Sequence, residues 1–175
     1  VGAICPLLAL LIQFNFNHTT FEGYIMYKFT SKKAVIEAAC SFIEERAKRY
    51  ATLTLTSPQA VKRYLMLQLQ DLEHEVFLAV FLDNQNRLIA TEKLASGTID
   101  GASVYPREVV KTTLAHNAAA VIFAHNHPSG VAEPSRADHN ITKRLKDALA
   151  LIEVRVLDHI IVGSECLSFS EMGYL

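Results

Sequence analysis

The chain has 175 residues, half of them hydrophobic, and a formal net charge of -1. That is enough for one domain with a sizeable core, or one domain with an appendage, and it argues against a polyanion binder driven by bulk charge. Cys5, Cys40 and Cys166 are widely spaced with no Cys-x-x-Cys pair, which suggests neither a disulfide framework nor a thiolate zinc site, so the expected compartment is the reducing cytoplasm.

Ala3 to Ile12 is apolar but about half as long as a bilayer-spanning helix. No basic residue precedes it, and Met26 stands just before the first well-patterned segment. Residues 1–25 read as upstream sequence or a poorly ordered extension; a packed strand or helix, or a targeting segment, are the alternatives. Ser31 can cap a helix from Lys32 to about Arg49, with Val35, Ala38, Ala39, Phe42 and Ile43 at helical spacing. Ser57-Pro58 is a second start signal, for a helix running to about Leu72 with Val61, Leu65 and Leu69 on one side.

Val76 to Asp83 is short and almost wholly apolar, the pattern of a strand covered on both faces. Asn84-Gln85-Asn86 reads as a turn into a second strand, Arg87 to Ala95, so the two form a hairpin. A polar loop, Gly97 to Tyr105, leads to Pro106 and a third helix over about Arg107–His116. Ala118 to Ala124 is another buried strand, and it delivers the chain to His125. After a sharp turn at His127-Pro128-Ser129-Gly130, Ser135 caps a fourth helix with Ile141, Leu145, Leu149 and Ile152 as its apolar stripe. A last strand spans Val154 to Val162 and ends at Gly163. Helices alternating with buried strands predict an α/β domain.

The chemistry concentrates between His125 and Asp138. Side chains at i and i+2 of a strand point the same way, so His125 and His127 can converge on one ion. Asp138 follows at the head of a helix, three residues after Ser135. Two imidazole nitrogens and one carboxylate oxygen suit zinc, and a three-ligand set leaves a fourth corner for water. Two bland readings stand beside this one. The histidines can be satisfied polar residues in a turn, and Ser135-x-x-Asp138 can be a variant capping box, which two carboxylate oxygens allow to coexist with ligation.

Other features carry less. His125-Asn126-His127 spells the name of a nuclease class, but that class is named for three dispersed residues. Zinc deaminases need His-x-Glu and Pro-Cys-x-x-Cys, which are absent. His116, His139 and His159 read as a helix end, a helix surface and a strand residue, and Lys143, Arg144 and Lys146 as a solvated helix face.

His125-x-His127, seven residues, then Ser135-x-x-Asp138 resembles the JAMM motif of MPN-domain metalloproteases. The wider text resembles the RadC family over roughly Ser57 to Leu175. The matching phrases are Val104-Tyr105-Pro106-Arg107-Glu108-Val109, the run from Asn117 to Gly130, and Arg155-Val156-Leu157-Asp158-His159-Ile160-Ile161-Val162-Gly163. The resemblance implies a central mixed sheet flanked by helices, the deaminase-like MPN fold, over residues 57–175. A helical lead-in over 31–56 and an N-terminal extension over 1–30, disordered or not native, would precede it. The helix-hairpin-helix region of longer RadC proteins has no counterpart, so the chain is expected to be the short, prophage-type form. By the same resemblance His125, His127 and Asp138 would ligate one zinc ion. An upstream glutamate, Glu75 with Glu73 as rival, would be the general base, and the Ser135 hydroxyl would steady the oxyanion.

The implied activity is cleavage of a peptide or isopeptide bond by a zinc hydrolase. The competing expectation is a DNA-repair or other nucleic-acid-associated accessory protein with structural or vestigial zinc, which the net charge does not support. No membrane partner is expected.

Overall fold

The computed structural model describes residues 31–50, 57–97 and 104–175, by backbone alone at Lys32 and at 43–50. The expected extension over 1–30, the end of the lead-in at 51–56 and the middle of the 97–105 loop lie outside the described residues. The elements in order are α1 (Lys32–Tyr50), α2 (Pro58–Leu69), β1 (Val76–Leu82), β2 (Leu88–Ser96), α3 (Pro106–Ala115), β3 (Ala120–Asn126), α4 (Arg136–Ala150), β4 (Arg155–Val162) and β5 (Cys166–Ser168). Among the described residues no helix is long and apolar enough to cross a membrane.

Start signals act as anticipated. Ser31 Oγ accepts the Ala34 N–H at 3.1 Å, and Ser57 Oγ accepts that of Ala60 at 3.2 Å. The stripe of α1 is rotated from the expected one: Val35 and Ala39 are half-buried with Ile36 and Cys40, whereas Ala38 and Phe42 are exposed. Helix α2 ends at Leu69 and buries Val61, Tyr64, Leu65 and Leu69.

The five strands form one mixed sheet in the order β2-β1-β3-β4-β5. β1 pairs antiparallel with β2 and β3, β3 runs parallel to β4, and β4 is antiparallel to β5. All seven residues of β1 and of β3 are buried, as continuous apolar runs require when both faces are covered. Alternation divides the core in two. Val76, Leu78, Val80 and Leu82 pack with Ala120, Ile122 and Ala124 against α2 residues. Phe77, Ala79, Phe81, Val121 and Phe123 pack with Val109 of α3 and with Leu145 and Leu149 of α4.

Two features depart from the expected pattern and both bear on the site. Strand β3 extends through His125 and Asn126, so the first histidine sits inside the sheet. In β4, Val156 pairs with Val121 but Asp158 pairs with Ile122, which leaves Leu157 as an extra residue. That bulge reverses the alternation of the strand. Before it Val154 and Val156 belong to the α4 face; after it Ile160 and Val162 belong to the opposite face, and His159 comes to lie beside Phe123.

The β1–β2 turn is closed by Asp83, whose Oδ1 accepts the N–H groups of Gln85 (2.8 Å) and Arg87 (2.9 Å). Asn86 holds a left-handed φ of 58°, and its Oδ1 is buried without a hydrogen-bond partner. Glycine adopts this conformation freely and carries no such oxygen. Asn86→Gly is therefore expected to be tolerated, relief at the left-handed position offsetting the added freedom of the unfolded chain, and Asn86→Ala to lower the unfolding free energy by about 1 kcal/mol, as measured by urea denaturation.

Candidate metal centre

The site lies where the parallel strands β3 and β4 end and α4 begins, a position where side chains from a strand end and a helix start can meet. His125 is fully buried on the α3/α4 face, paired in register with Phe77, whose ring stacks on it at 5.8 Å and 7°. His127 follows one residue past the strand. Its N–H bonds the Val162 carbonyl at 2.9 Å, which prolongs the β3–β4 ladder and keeps both imidazoles on one side. Their Nε2 atoms stand 3.0 Å apart.

Asp138 enters from the first turn of α4. Its Oδ1 lies 3.2 Å from His125 Nε2 and its Oδ2 3.8 Å from His127 Nε2. One ligand atom from each of the three residues lies within 4.8 Å of the others. Four ligands placed tetrahedrally at zinc bond lengths sit about 3.3 Å apart; the 3.0 and 3.2 Å separations about His125 match that spacing, and the 3.8 Å one between Asp138 and His127 is wider. Neither Cys40 nor Cys166 belongs to the cluster.

The capping box and the ligand geometry coexist, one on each carboxylate oxygen. Oδ2 accepts the Ser135 N–H at 2.7 Å and its hydroxyl at 2.6 Å, while Ser135 Oγ accepts the Asp138 N–H at 3.2 Å. Burial raises the Asp138 pKa, but a cation beside it, in the metal-free protein a proton on His125 that supplies both hydrogen bond and charge, together with the hydrogen bonds from Ser135 outweighs burial, and the carboxyl is held well below its ordinary range. Ionised Asp138 is the form a cation needs. The carboxylate also sits at a helix N-terminus, which favours negative charge.

The buried stripe of α4 runs Asp138, Thr142, Leu145, Leu149. The expected stripe through Ile141 and Ile152 is displaced, and those two are only half-buried. The reason is the site: the first two turns of the inward face carry polar groups that hydrogen-bond there. Lys143, Arg144 and Lys146 are exposed, as expected of a solvated face.

Besides Thr142 of α4, two residues of the site have no role in the sequence reading. His159 reads as an ordinary strand residue, yet it is fully buried and its Nε2 lies 2.9 Å from His125 Nδ1. Burial, and then the neighbouring charge of His125, hold its pKa well below the ordinary histidine value. In the sequence Asn126 reads only as the middle of a coincidental tripeptide. It is a clamp: its Oδ1 accepts the Val76 N–H at 2.8 Å, and its Nδ2 donates to the carbonyls of His74 (3.0 Å) and Leu72 (3.3 Å). It thereby pins the segment that carries Glu73 and Glu75 to the end of β3. A polar residue closing an apolar strand was the available signal. His116 and His139 lie elsewhere, against Glu92 and against the rings of Phe169 and Tyr174.

The fold and cluster define an α/β domain with a two-histidine, one-carboxylate constellation at a sheet end. Comparison with known proteins agrees. Residues 55–174 match the family model described as the RadC-like JAB domain. A UPF0758 protein of Thioalkalivibrio sulfidiphilus is 51% identical over 175 residues, covering 99% of this chain and 76% of its own length. UPF0758 proteins of Nitrosococcus oceani and Cellvibrio japonicus are 59% and 57% identical, each with 68% of its length covered. The chain belongs to the RadC-like JAB domain family, and its likeness to the first relative reaches well upstream of the motif-bearing region.

The loop after His127 is held by two glycines. His127 Nδ1 meets the Val131 carbonyl at 2.7 Å, and Gly130, with a φ of 82°, turns the chain so that this carbonyl can face the ring. A Cβ on Gly163 would collide with the Gly130 carbonyl, its carbon only 2.8 Å away. Gly163→Ala is therefore expected to push this loop off β4. Stability should fall by about 1–3 kcal/mol, read by denaturation.

Proposed function

We propose that this domain is a zinc-dependent hydrolase of the JAMM type that cleaves an amide bond in a peptide or isopeptide-linked substrate. The observation that carries this reading is the convergence of His125, His127 and Asp138 ligand atoms within 4.8 Å of one another. The side chain of His125 is fully buried, while His127 (19%) and Asp138 (12%) keep some exposure, so the cluster has one approachable side. Three protein ligands of this kind are the set found where zinc takes part in chemistry and is not merely structural. When bound, zinc would supply Lewis acidity, acidifying a water molecule and polarising a carbonyl oxygen.

The remaining steps fall to side chains. Glu75 is assigned the proton transfers. It stands one residue before β1 and two before Phe77, the register partner of His125, and strand alternation favours the Phe77 face for its side chain. A carboxylate there would accept a proton from the attacking water and return it to the departing amine. Glu73 is exposed and two residues further from the strand, whereas Glu75 is half-buried, which favours Glu75. Ser135 is assigned the oxyanion. Its hydroxyl now donates to Asp138 Oδ2, and turning away from that oxygen would free the proton for the carbonyl oxygen as charge develops on it.

Metal analysis of the purified protein is expected to find about one zinc per chain, lost in the His125→Ala/His127→Ala variant. In a zinc-dependent cleavage screen over peptides and isopeptide-linked conjugates, Glu75→Gln should keep its zinc yet lose about a hundredfold or more in turnover. Full activity in Glu75→Gln overturns the assignment of the base. Zinc-loaded wild-type protein that cleaves none of the substrates contradicts the hydrolase reading.

A further inference from the structure

We infer that His159 and Thr142 are positioning residues: a proton-ordered relay that fixes the tautomer of His125 and so turns its Nε2 lone pair toward the metal. The inference rests on the metal site proposed above and adds to it the part of the protein that keeps one ligand in its binding form.

The order of the protons follows from what each group can do. Thr142 Oγ1 lies 2.5 Å from the Asp138 carbonyl oxygen and 2.5 Å from His159 Nδ1. A carbonyl only accepts, and two oxygens approach that closely only with a proton between them, so the single hydroxyl proton points at Asp138. The Thr142 oxygen is then the acceptor for His159, which must carry its proton on Nδ1. His159 is fully buried among the rings of Phe77, Phe123 and Phe169, with centroids at 5.3, 6.3 and 4.9 Å, surroundings that keep the imidazole uncharged. A neutral imidazole protonated on Nδ1 has a lone pair on Nε2. That atom is 2.9 Å from His125 Nδ1, which must therefore donate. His125 is left with a lone pair on Nε2, the atom that meets His127 and Asp138.

The relay closes on itself. Thr142 and Asp138 are one helical turn apart, and the carbonyl that orients the hydroxyl belongs to the residue whose carboxylate is the third ligand. His127 reaches the same tautomer by a shorter route, donating from Nδ1 to the Val131 carbonyl. A backbone carbonyl cannot reverse its role; a histidine and a hydroxyl can. The His125 arm therefore depends on side chains that substitution can test. Without the Thr142 hydroxyl, His159 Nδ1 has no acceptor. Its proton then moves to Nε2 and points at His125, whose own proton is driven onto the nitrogen the metal needs.

The test compares Thr142→Val, which keeps the shape and removes the hydroxyl, with Thr142→Ser, which restores it. Zinc affinity is measured by competition with a chromophoric chelator. The His125 tautomer is read from ring-nitrogen chemical shifts in zinc-free wild-type protein at alkaline pH. Thr142→Val is expected to bind zinc about 10–100-fold more weakly, Thr142→Ser within a fewfold of wild type, and wild-type His125 to carry its proton on Nδ1. Equal affinity in wild type and Thr142→Val, or a His125 proton on Nε2, overturns the relay. If Thr142→Val does not fold, the wild-type tautomer decides alone. Wild-type protein that takes up no zinc overturns the metal site instead, and the tautomer measurement still decides the relay.

Discussion

Two imidazole nitrogens face each other across 3.0 Å at the end of β3, and each ring has its other nitrogen committed to an acceptor. With both protons held away, two lone pairs confront one another and the Asp138 carboxylate stands beside them. That arrangement is repulsive unless a cation, a proton or a metal ion, occupies the middle. The strand pleat imposes it: His125 is locked into a fully buried strand and stacked on Phe77, and His127 is held by the ladder to Val162. The acceptors on the far sides of the rings, the turn of the 128–132 loop and the start of α4 all follow from the need to satisfy these two rings.

The head of α4 resolves an apparent conflict. A serine and an acid three residues apart are the ordinary means of starting a helix, and that use would seem to consume the carboxylate. The geometry divides the labour between the two oxygens, Oδ2 for the cap and Oδ1 for His125. One consequence is precision. A ligand that also fixes its own helix start cannot wander without fraying the helix. A second is that the inward face of α4 begins with Asp138 and Thr142 and turns apolar only at Leu145, so the same stripe that anchors the helix to the core also carries the site.

Much of this was legible in the sequence because the relevant rules are local. The i, i+2 spacing of His125 and His127 works through the strand pleat, Ser135 and Asp138 work through one helix turn, and the buried runs of β1 and β3 announce strands by composition alone. What was not legible depends on register. His159 faces the site only because Leu157 is an extra residue that flips the alternation of β4, and no periodicity in the run from Val154 to Val162 signals that bulge. Thr142 is not legible because the apolar stripe of the sequence runs through Ile141, whereas the buried one runs through Thr142. β5, three residues long, is defined by its pairing with β4 and not by its own pattern. Spacing and the family resemblance single out His125, His127 and Asp138 as a candidate ligand set; His159 and Thr142, which stand behind His125, emerge only from the structure.

The most direct measurement is X-ray absorption at the zinc edge on metal-loaded protein. The expected result is a four-coordinate ion at about 2.0–2.1 Å from nitrogen and oxygen neighbours, with the outer-shell scattering of two imidazoles that disappears in the His125→Ala/His127→Ala variant. Sulfur neighbours near 2.3 Å, or a spectrum unchanged by removing both histidines, would contradict it.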